Sequence, residues 1–397
     1  MARRNDNLRL NVAIIGSRGY PSSYGGFETL VRHLAPYLTD AGCDVTVYCR
    51  GSEDSRGSSN IDDITCVQTF GIEGKATSTL SFGLTAALDS RRRHPDVALV
   101  LNVANGFFLP ILRRAGVGTV VNVDGIEWER GKWSRMGKAV FLAGARMTAR
   151  HADTIVVDSH VIGDIWRSKF GVDSTYIPYG APVVRDVGHD RLDRIGVEPG
   201  AYVLVVARLV PENNVGLFLD ALRVLDFGLP AVIVGSAGTP SPLEDEVRSA
   251  AAEHPELRWL GQVHDQELLT QLWGHCGAYF HGHSVGGTNP SLLQAMGCGS
   301  PTVAVDTPFN REVLGPDARL CPAEPEEIAA RLKTVVGDPA LRSRLAAEGR
   351  STVERRYRWD DVCRGYASAL SSVASPVGLA PALGFMPAAA PLHSQSA

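Results

Sequence analysis

Short apolar runs alternate with helical patterns along most of this chain, and this alternation limits the choice of fold more than any other feature. The runs with the composition of strands are residues 11–16, 44–49, 97–101, 119–123 and 154–158, and then 202–207, 231–235, 257–260, 277–281 and 301–305. Between them, segments such as residues 27–39 repeat apolar residues at helical spacing. Strands that alternate with helices in this way are typical of parallel βαβ units. The sequence therefore predicts an α/β fold with doubly wound sheets.

The chain is long enough for two domains, because its 397 residues exceed what one hydrophobic core usually holds. Residues 176–182 interrupt the pattern, and the charged stretch 185–199 that follows is typical of a connection between domains. We predict an N-terminal domain over 1–184 and a C-terminal domain over 185–358, with a cleft between them. Residues 375–397 contain no Asp, Glu, Lys or Arg, which predicts a disordered tail.

Composition and charge exclude several classes of protein. The formal net charge is −4, whereas a protein that binds nucleic acid through its phosphates needs a basic domain. The seven cysteines lie far apart and form no CxxC or zinc-like spacing, which indicates reduced thiols. No apolar run near the N-terminus is long enough for a signal peptide, and the most apolar window, 97–112, is broken by polar residues and proline. We therefore expect a cytoplasmic protein with no transmembrane segment and no nucleic-acid partner.

A glycine-rich loop joins the predicted strand at 277–281 to a helix. From His281 to Pro301 it reads HGHSVGGTNPSLLQAMGCGSP, and Pro290 stands where the first helical residue should be. Proline is favoured there because its missing N–H costs nothing at a helix start. A helix N-terminus above a parallel sheet offers backbone donors to an anion, so a phosphate-bearing ligand is one interpretation. An ordinary loop–helix junction is the other.

A dinucleotide-binding dehydrogenase is a competing interpretation of the first strand and its loop. Its fingerprint is GxGxxG, with an acidic residue at the end of the second strand. Here Gly16 to Gly19 reads GSRG, and the second strand ends in Cys49 and Arg50. The sequence therefore argues against NAD, and we expect no cofactor.

Five motifs occur in an order that is found in one enzyme family. They are YPSSYGGFETLVRHLAPYL, VDGIEWERGKW, VVARLVPENN, LRWLGQV and HSVGGTNPSLLQAMGCGSP. Together they resemble the retaining glycosyltransferases of family 4, in a branch of bacterial rhamnosyltransferase-like enzymes of surface-polysaccharide synthesis. The resemblance spans roughly residues 10–370. It implies a GT-B fold, in which two Rossmann-like domains face a cleft and a C-terminal helix, here at 359–374, crosses back onto the first domain.

The resemblance also implies a nucleotide-sugar donor, bound mainly by the C-terminal domain. Similar enzymes hold the diphosphate with an arginine that corresponds to Arg208, for which a surface salt bridge is the alternative role. Where relatives often carry a lysine, this chain reads ENN, and we expect its last residue, Asn214, to donate a neutral hydrogen bond. Gly25 and Gly26 precede the first helix, in a loop that lies over the phosphates and the sugar in this family.

The paired glutamates of the family are replaced in this chain by Gly286 and Gln294. We expect the contact to the sugar to pass to Thr288 or Asn289 of the loop that also contains Gly287, and Gln294 to form neutral hydrogen bonds only. That pattern fits a deoxyribose donor such as dTDP-rhamnose. It also fits a weak or inactive protein of the same fold that binds nucleotide sugars or glycans.

Further site residues are implied by their places in the motifs. Val263 belongs to the loop that contacts the nucleobase, and Asp124 is a candidate catalytic group on the acceptor side, with structural capping as its alternative role. His283 is expected to form a hydrogen bond near the donor. It forms an H-x-H pair with His281, but no third metal ligand is in view. No pair of adjacent carboxylates follows a strand of the second half, so we expect a metal-independent enzyme.

The expected acceptor is a saccharide or a lipid-linked saccharide. Residues 128–151 are strongly basic and contain interleaved aromatic residues. The basic residues are Arg130, Lys132, Arg135, Lys138, Arg146 and Arg150, against the single acid Glu129. Such a surface indicates peripheral contact with the inner membrane face or with a diphosphate-linked lipid, and a solvated helix face is the alternative.

Overall fold

The computed structural model describes residues 9–21, 25–51, 57–72, 74, 77–131, 133–238, 240–315 and 319–374. Within these residues the chain forms two α/β domains, each built on a largely parallel sheet. The predicted tail at 375–397 lies outside the described residues.

The first sheet contains strands from the N-terminal half of the chain. They are β1 (Asn11–Ile15), β2 (Asp44–Arg50), β3 (Ser58–Ile61), β4 (Ile64–Thr69), β5 (Val97–Leu101), β6 (Gly118–Asn122), β7 (Thr154–Val157) and β8 (Thr175–Tyr176). Their order is β3-β4-β2-β1-β5-β6-β7-β8, and neighbours run parallel except for β3 and β4. The accompanying helices are α1 (Gly26–Asp40), α2 (Thr77–Arg93), α3 (Leu109–Arg114), α4 (Arg135–His151) and α5 (His160–Phe170).

The second sheet is entirely parallel, with the order β11-β10-β9-β12-β13-β14. Its strands are β9 (Val203–Val206), β10 (Ala231–Val234), β11 (Leu257–Trp259), β12 (Ala278–His281), β13 (Thr302–Val305) and β14 (Leu320–Cys321). Its helices are α6 (Val215–Val224), α7 (Pro242–Glu253), α8 (Gln266–His275), α9 (Pro290–Cys298), α10 (Pro308–Leu314), α11 (Pro325–Gly337) and α12 (Pro339–Arg356).

All ten predicted strands are confirmed to within one residue at each end. They could be predicted because strands that are covered by helices on both faces consist of continuous apolar residues. In β5, for example, every residue is buried. Four strands were missed. β8 and β14 have only two residues each, β3 is a polar edge strand, and β4 alternates buried and half-buried residues over a short length. The seven cysteines are buried and free, as expected.

The helix after the glycine-rich loop begins as predicted, with Pro290 as its first residue. The side-chain oxygen of Asn289 caps it by accepting from the backbone N–H of Ser291 at 3.0 Å. Gly299 ends it in the left-handed conformation, at a φ of 82°. The helix therefore starts at the carboxyl end of β12, facing the first sheet.

The last described helix, α13 (Trp359–Val373), crosses back onto the first sheet as the resemblance implies. The Trp359 ring stacks on His33 of α1, with the ring centroids 4.1 Å apart. The hydroxyl of Tyr366 accepts a hydrogen bond from the buried Asn122 side chain at the end of β6. This helix ties the C-terminal end of the chain to the first domain, whereas the domain boundaries at residues 184 and 358 stay predictions.

We expect Tyr366→Phe to lower the free energy of unfolding by about 1–3 kcal/mol, because it leaves the buried amide of Asn122 without its acceptor. Urea unfolding measures the change. Tyr37→Phe on α1 is the matched control, since no hydrogen bond to that hydroxyl is found within the described residues, and it should change stability by less than about 0.5 kcal/mol. Equal stability of the two variants would contradict the role of the Tyr366 hydroxyl.

Candidate active site

A cavity of about 510 Å³ lies between the two domains, at the carboxyl ends of both sets of strands. This is where open α/β sheets bind their ligands. The predicted site residues that line it are Gly25, Gly26, Asp124, Arg208, Val263, His283, Gly287, Thr288, Asn289 and Gln294. The fold therefore brings together residues that are as much as 269 positions apart in the sequence (from 25 to 294).

Asn214 is the one predicted donor residue that does not line the cavity. It adopts a left-handed conformation, with a φ of 53°, and its amide donates to the carbonyl of Gly282 at 2.7 Å. Its neighbour Asn213 faces the cavity instead and donates to the carbonyl of Arg208 at 2.9 Å. The prediction placed the polar group one residue too far along the chain, because the turn of the backbone at Asn214 is not visible in the sequence.

Arg208 follows β9 and points an exposed side chain into the cavity. Its backbone carbonyl is held by the amide of Val210 at 2.9 Å as well as by Asn213. Within the part of the chain that the structure describes, its guanidinium forms no ion pair, so the alternative of a surface salt bridge is not observed. The guanidinium is thus available to an anionic ligand.

The glycine-rich loop of the C-terminal domain packs against the end of β7. A Cβ built on Gly287 would lie 1.8 Å from Oδ1 of Asp158, so this position excludes any side chain. Gly286 has a φ of 136°, which L-residues with a side chain rarely adopt. The Thr288 hydroxyl is buried and donates to the backbone carbonyl of Asp158, so it is already used within the protein. Of the two expected sugar contacts, Thr288 is therefore occupied by a structural bond.

A buried cluster of charges lies where this loop meets the N-terminal domain. Nε of Arg130 is 2.9 Å from a carboxylate oxygen of Glu127, and its Nη2 is 3.6 Å from Asp124. Burial disfavours the guanidinium charge, but the nearby acids Glu127, Asp124, Glu212 and Asp158 outweigh it and raise the pKa of Arg130. Asp124 is thus paired inside the cleft. The 3₁₀ turn that follows it begins after Ile126, whose side chain provides no cap.

Asp158 was missed by the sequence-based prediction. It directly follows β7, is 2% exposed, and its Oδ1 has no hydrogen-bond partner among the residues that the structure describes. Burial, with a smaller contribution from the charge of Asp124, raises its pKa well above the usual range. Its position at the carboxyl end of a predicted strand was a signal that the prediction used for Asp124 but not for Asp158.

Two histidines line the cavity as neutral side chains. The rings of His281 and His283 stack with their centroids 4.4 Å apart. Burial lowers the pKa of His281 to about 3. It also lowers the pKa of His283, with further contributions from His281, Arg208 and Arg130. Among the residues that the structure describes, no group of three or more His, Cys, Asp or Glu is arranged to hold a metal ion.

Only part of the basic and aromatic stretch at 128–151 lies on the surface. Trp128 and Phe141 belong to the hydrophobic core, and Arg130 turns into the cleft. They do so because the loop before α4 folds inward, where the Trp133 indole donates to Glu127 at 2.8 Å. The exposed basic residues that remain are Arg135, Arg146 and Arg150, while Lys132 lies outside the described residues. No described helix combines the length and the apolar character that crossing a bilayer requires.

The start of α5 makes a second contact between the domains. The Glu312 carboxylate of α10 accepts from the Ser159 hydroxyl at 2.5 Å and from the His160 N–H at 2.8 Å. Because the Ser159 side chain does not cap its own helix, Glu312 supplies the missing acceptor from the other domain.

Two family models match the chain. Residues 194–352 match the model described as glycosyl transferases group 1, and residues 9–182 match a domain of unknown function, DUF1972. The chain carries a group 1 glycosyltransferase domain. Arg208 and the glycine-rich loop lie within it, whereas Asp124 and Asp158 lie within the DUF1972 domain. No curated protein sequence matches the chain.

Solved structures resemble the whole two-domain chain. Sucrose-phosphate synthase of Thermosynechococcus elongatus is 16% identical, with a TM-score of 0.75 over 92% of this chain and 99% of that one. HepE of Anabaena, in complex with UDP-glucose, is 16% identical, with a TM-score of 0.73 over 92% and 100%. A structure described as trehalose-6-phosphate from Escherichia coli, bound with UDP-2-fluoro glucose, is 12% identical, with a TM-score of 0.70 over 91% of this chain and 99% of that one. The chain has the GT-B fold, and the group 1 domain together with this fold supports a glycosyltransferase.

We expect Asp158→Asn to stabilise the folded chain at about pH 7–8. In the unfolded chain this carboxyl ionises near pH 3.9, whereas burial raises its pKa in the folded chain. The folded state is therefore favoured most below about pH 3.9, and its advantage is lost as the pH rises towards the folded pKa. An amide cannot ionise, so the melting temperature of the variant should exceed that of the wild type by about 2–4 °C at pH 8.

Melting curves between about pH 4 and pH 8 measure this effect, because the gap between the two proteins should widen as the pH rises. Asp164→Asn, at an exposed position on α5, is the matched control and should show no such trend. A constant gap across the pH range would mean that Asp158 is ionised when buried.

Proposed function

We propose that this chain is a retaining glycosyltransferase. It would move a hexose or deoxyhexose, such as rhamnose, from a nucleoside-diphosphate sugar to a hydroxyl of a saccharide or lipid-linked saccharide. The observation that carries the proposal is the guanidinium of Arg208, which has no ion-pair partner among the described residues and faces the cleft of a GT-B fold beside a glycine-rich helix start. A cation next to oriented backbone donors stabilises the negative charge that develops on a leaving diphosphate. HepE, which has the same fold, was solved with UDP-glucose, which supports a nucleotide-sugar donor.

The proposed reaction exchanges one bond for another at the anomeric carbon. The bond between the sugar and the diphosphate breaks, the acceptor oxygen forms the new glycosidic bond on the same face, and the departing phosphate takes the acceptor proton. Arg208 and the amides of the glycine-rich loop and of the Gly25–Gly26 helix start would stabilise the charge that develops on the diphosphate. Asp124, held by Arg130 in the cleft, would orient the acceptor hydroxyl.

The remaining donor contacts are assigned by position in the cavity. Gln294 and Val263 would bind the nucleoside, and the neutral His283 would form a hydrogen bond to the donor. The amide nitrogen of Asn289 is available for the sugar, since its oxygen caps α9. Gln294 in place of a carboxylate favours a deoxyribose nucleotide such as dTDP.

The replacement of a family glutamate by Gly286 has a structural reason. At a φ of 136°, a glutamate would be strained, and the next residue leaves no room for a side chain beside Asp158. Glycine at both positions therefore fits an active enzyme with a different sugar contact as well as an inactive nucleotide-sugar or glycan-binding protein of this fold. The inactive protein is the alternative that the activity test below distinguishes.

The exposed arginines of α4 bear on where the enzyme is located. We infer a cytoplasmic enzyme that contacts the inner membrane face peripherally, through the exposed arginines of α4 at positions 135, 146 and 150. These charges would attract anionic lipid head groups at low salt. Among the described residues of this stretch, Met136 is the large apolar side chain that is exposed, at 78%.

A panel of nucleotide sugars tests the proposed activity. Thermal shift identifies the donor, because a saturating ligand stabilises the folded state. Turnover of that donor is then compared between wild type and Arg208→Ala. The variant should be slower by roughly a hundredfold or more, which is the scale for losing one preorganised donor of positive charge. Arg167→Ala, an exposed arginine of α5, is the matched control and should retain wild-type turnover. Binding without any transfer would favour the inactive alternative, and a fully active Arg208→Ala would remove Arg208 from the site.

Chelation tests the proposed independence from metals. If Arg208 and backbone amides neutralise the diphosphate, activity should survive exhaustive treatment with EDTA. Turnover is measured before and after chelation and after adding Mg²⁺ or Mn²⁺. A loss that either ion restores would overturn the metal-free mechanism.

A further inference from the structure

Glu212 is a buried carboxylate that lines the cavity between the domains and is 8% exposed. Among the residues that the structure describes, neither its Oε1 nor its Oε2 has a hydrogen-bond partner, and the side chain forms no ion pair. A carboxylate without hydrogen bonds is costly to bury, and buried carboxylates therefore normally have partners. The protein thus leaves two acceptor atoms that a ligand in the cavity can satisfy.

The backbone around Glu212 is held on both sides. The residue lies in a 3₁₀ turn, Pro211–Asn213, that closely follows Arg208. Its carbonyl accepts from the backbone N–H of Ser284 at 2.9 Å and from the Ser284 hydroxyl at 3.0 Å. The Asn213 side chain donates to the Arg208 carbonyl at 2.9 Å. These bonds fix the point from which the Glu212 side chain starts, although its carboxylate forms no bond of its own.

The Glu212 carboxylate extends towards the opposite wall of the cavity. Its Oε2 lies 3.8 Å from the place that a Cβ on Gly131 of the N-terminal domain would occupy. The nearest cation of that wall, Arg130, is already paired with Glu127 and Asp124. The charge of Glu212 contributes less to the environment of Arg130 than the charges of those two acids do. Arg130 therefore offsets the charge of Glu212 without satisfying its hydrogen bonds.

The chemistry of a carboxylate limits what binds to it. An ionised carboxylate accepts hydrogen bonds and donates none, and it repels a phosphate group. Sugar hydroxyls are uncharged donors, and two hydroxyls on adjacent carbon atoms can each donate to one carboxylate oxygen. Such bonds are stronger than those between neutral groups, because the acceptor is charged. A sugar is therefore the ligand that suits the Glu212 carboxylate.

The position of Glu212 favours the donor sugar over the acceptor. Arg208 and Glu212 belong to one short segment of the C-terminal domain, directly after β9. If Arg208 binds the diphosphate of the donor, the sugar follows on the next bond, and its hydroxyls lie a few bonds from the anion. One segment then provides a cation for the diphosphate and a carboxylate for the sugar.

We propose that Glu212 binds hydroxyl groups of the transferred sugar and thereby selects a donor with free hydroxyls on adjacent carbon atoms. The inference rests on the proposed function and identifies a residue that determines its donor sugar. Glu212 takes no part in making or breaking bonds, since the hydroxyls that it binds keep their protons. A site built to bind a hydroxyl rejects an analogue that lacks it, because the buried acceptor is then left unpaired.

The experiment compares nucleotide sugars with the same nucleotides without a sugar. Calorimetric titration is carried out with UDP and UDP-glucose, and with dTDP and dTDP-rhamnose. Glu212→Gln keeps the shape of the side chain but replaces one acceptor oxygen by a donor. It should weaken binding of the nucleotide sugar that wild type prefers by about tenfold or more, and binding of the matching nucleoside diphosphate by less than about twofold. Glu253→Gln, at the exposed end of α7 outside the cavity, should bind like wild type.

Analogues of the preferred nucleotide sugar that lack one hydroxyl separate direct contact from a structural role. Loss of a hydroxyl that donates to Glu212 should weaken binding to wild type by about tenfold, but should weaken binding to Glu212→Gln by less than about twofold. Glu212→Asp, which keeps both oxygens on a shorter chain, is the second variant and should retain more affinity for the nucleotide sugar than Glu212→Gln. Melting curves of all variants show that they are folded.

Several results would overturn the inference. An equal loss of affinity for the nucleoside diphosphate and the nucleotide sugar would assign Glu212 a structural role, and unchanged binding of both would remove it from the site. The inference also fails if no hydroxyl is coupled to Glu212, or if Glu212→Gln raises KM for the acceptor alone. Wild type that binds the nucleotides but not the sugars would contradict this inference, whereas wild type that binds none of the four probes would contradict the proposed function itself.

Discussion

The junction between β7 and α5 fixes how the two domains face each other. Over four successive residues, from Asp158 to Val161, the N-terminal domain presents a carbonyl, a hydroxyl and helix-start amides to the C-terminal domain. Thr288 and Glu312 satisfy them. Because buried polar groups are costly when left unpaired, this contact permits few relative orientations. The carboxyl ends of both sets of strands are thus held opposite each other, and the cavity between them is a consequence.

The same junction accounts for the composition of the glycine-rich loop. The Asp158 carboxyl occupies the space that a side chain at position 287 would need, and the backbone at 286 turns through a conformation suited to glycine. Asp158, whose pKa burial raises, and the buried guanidinium of Arg130 then lie within one region of low dielectric, where electrostatic interactions are stronger than in water. The site is therefore organised by groups from both domains before any ligand enters.

Several site residues could be predicted from the sequence and others could not. The structure places the predicted residues Arg208, Gly25 and Gly26 on the cavity because each stands directly after a strand or at a helix start, at the edge of the sheets where the cavity lies. Asn214, Thr288 and Arg130 behave differently from the prediction because their side chains bond to groups that are distant in sequence or turned by the local backbone. The presence of Arg18, Arg32 and Arg50 along one cavity was not predicted, since they belong to a loop, a helix and a strand end that only the folded sheet brings together.

By itself, the sequence determined the two-domain α/β architecture, since continuous apolar strands and helical spacing are local patterns imposed by burial on both faces of a parallel sheet. It also determined the start of α9 at Pro290 and its end at Gly299, which depend on backbone preferences of single residues. The tertiary structure alone decided which charges share the cleft and that the Thr288 hydroxyl is bonded within the protein. It also decided that Arg208 faces the cavity, where a ligand can reach it. These properties depend on distances between chain segments far apart in sequence, and no local pattern encodes such distances.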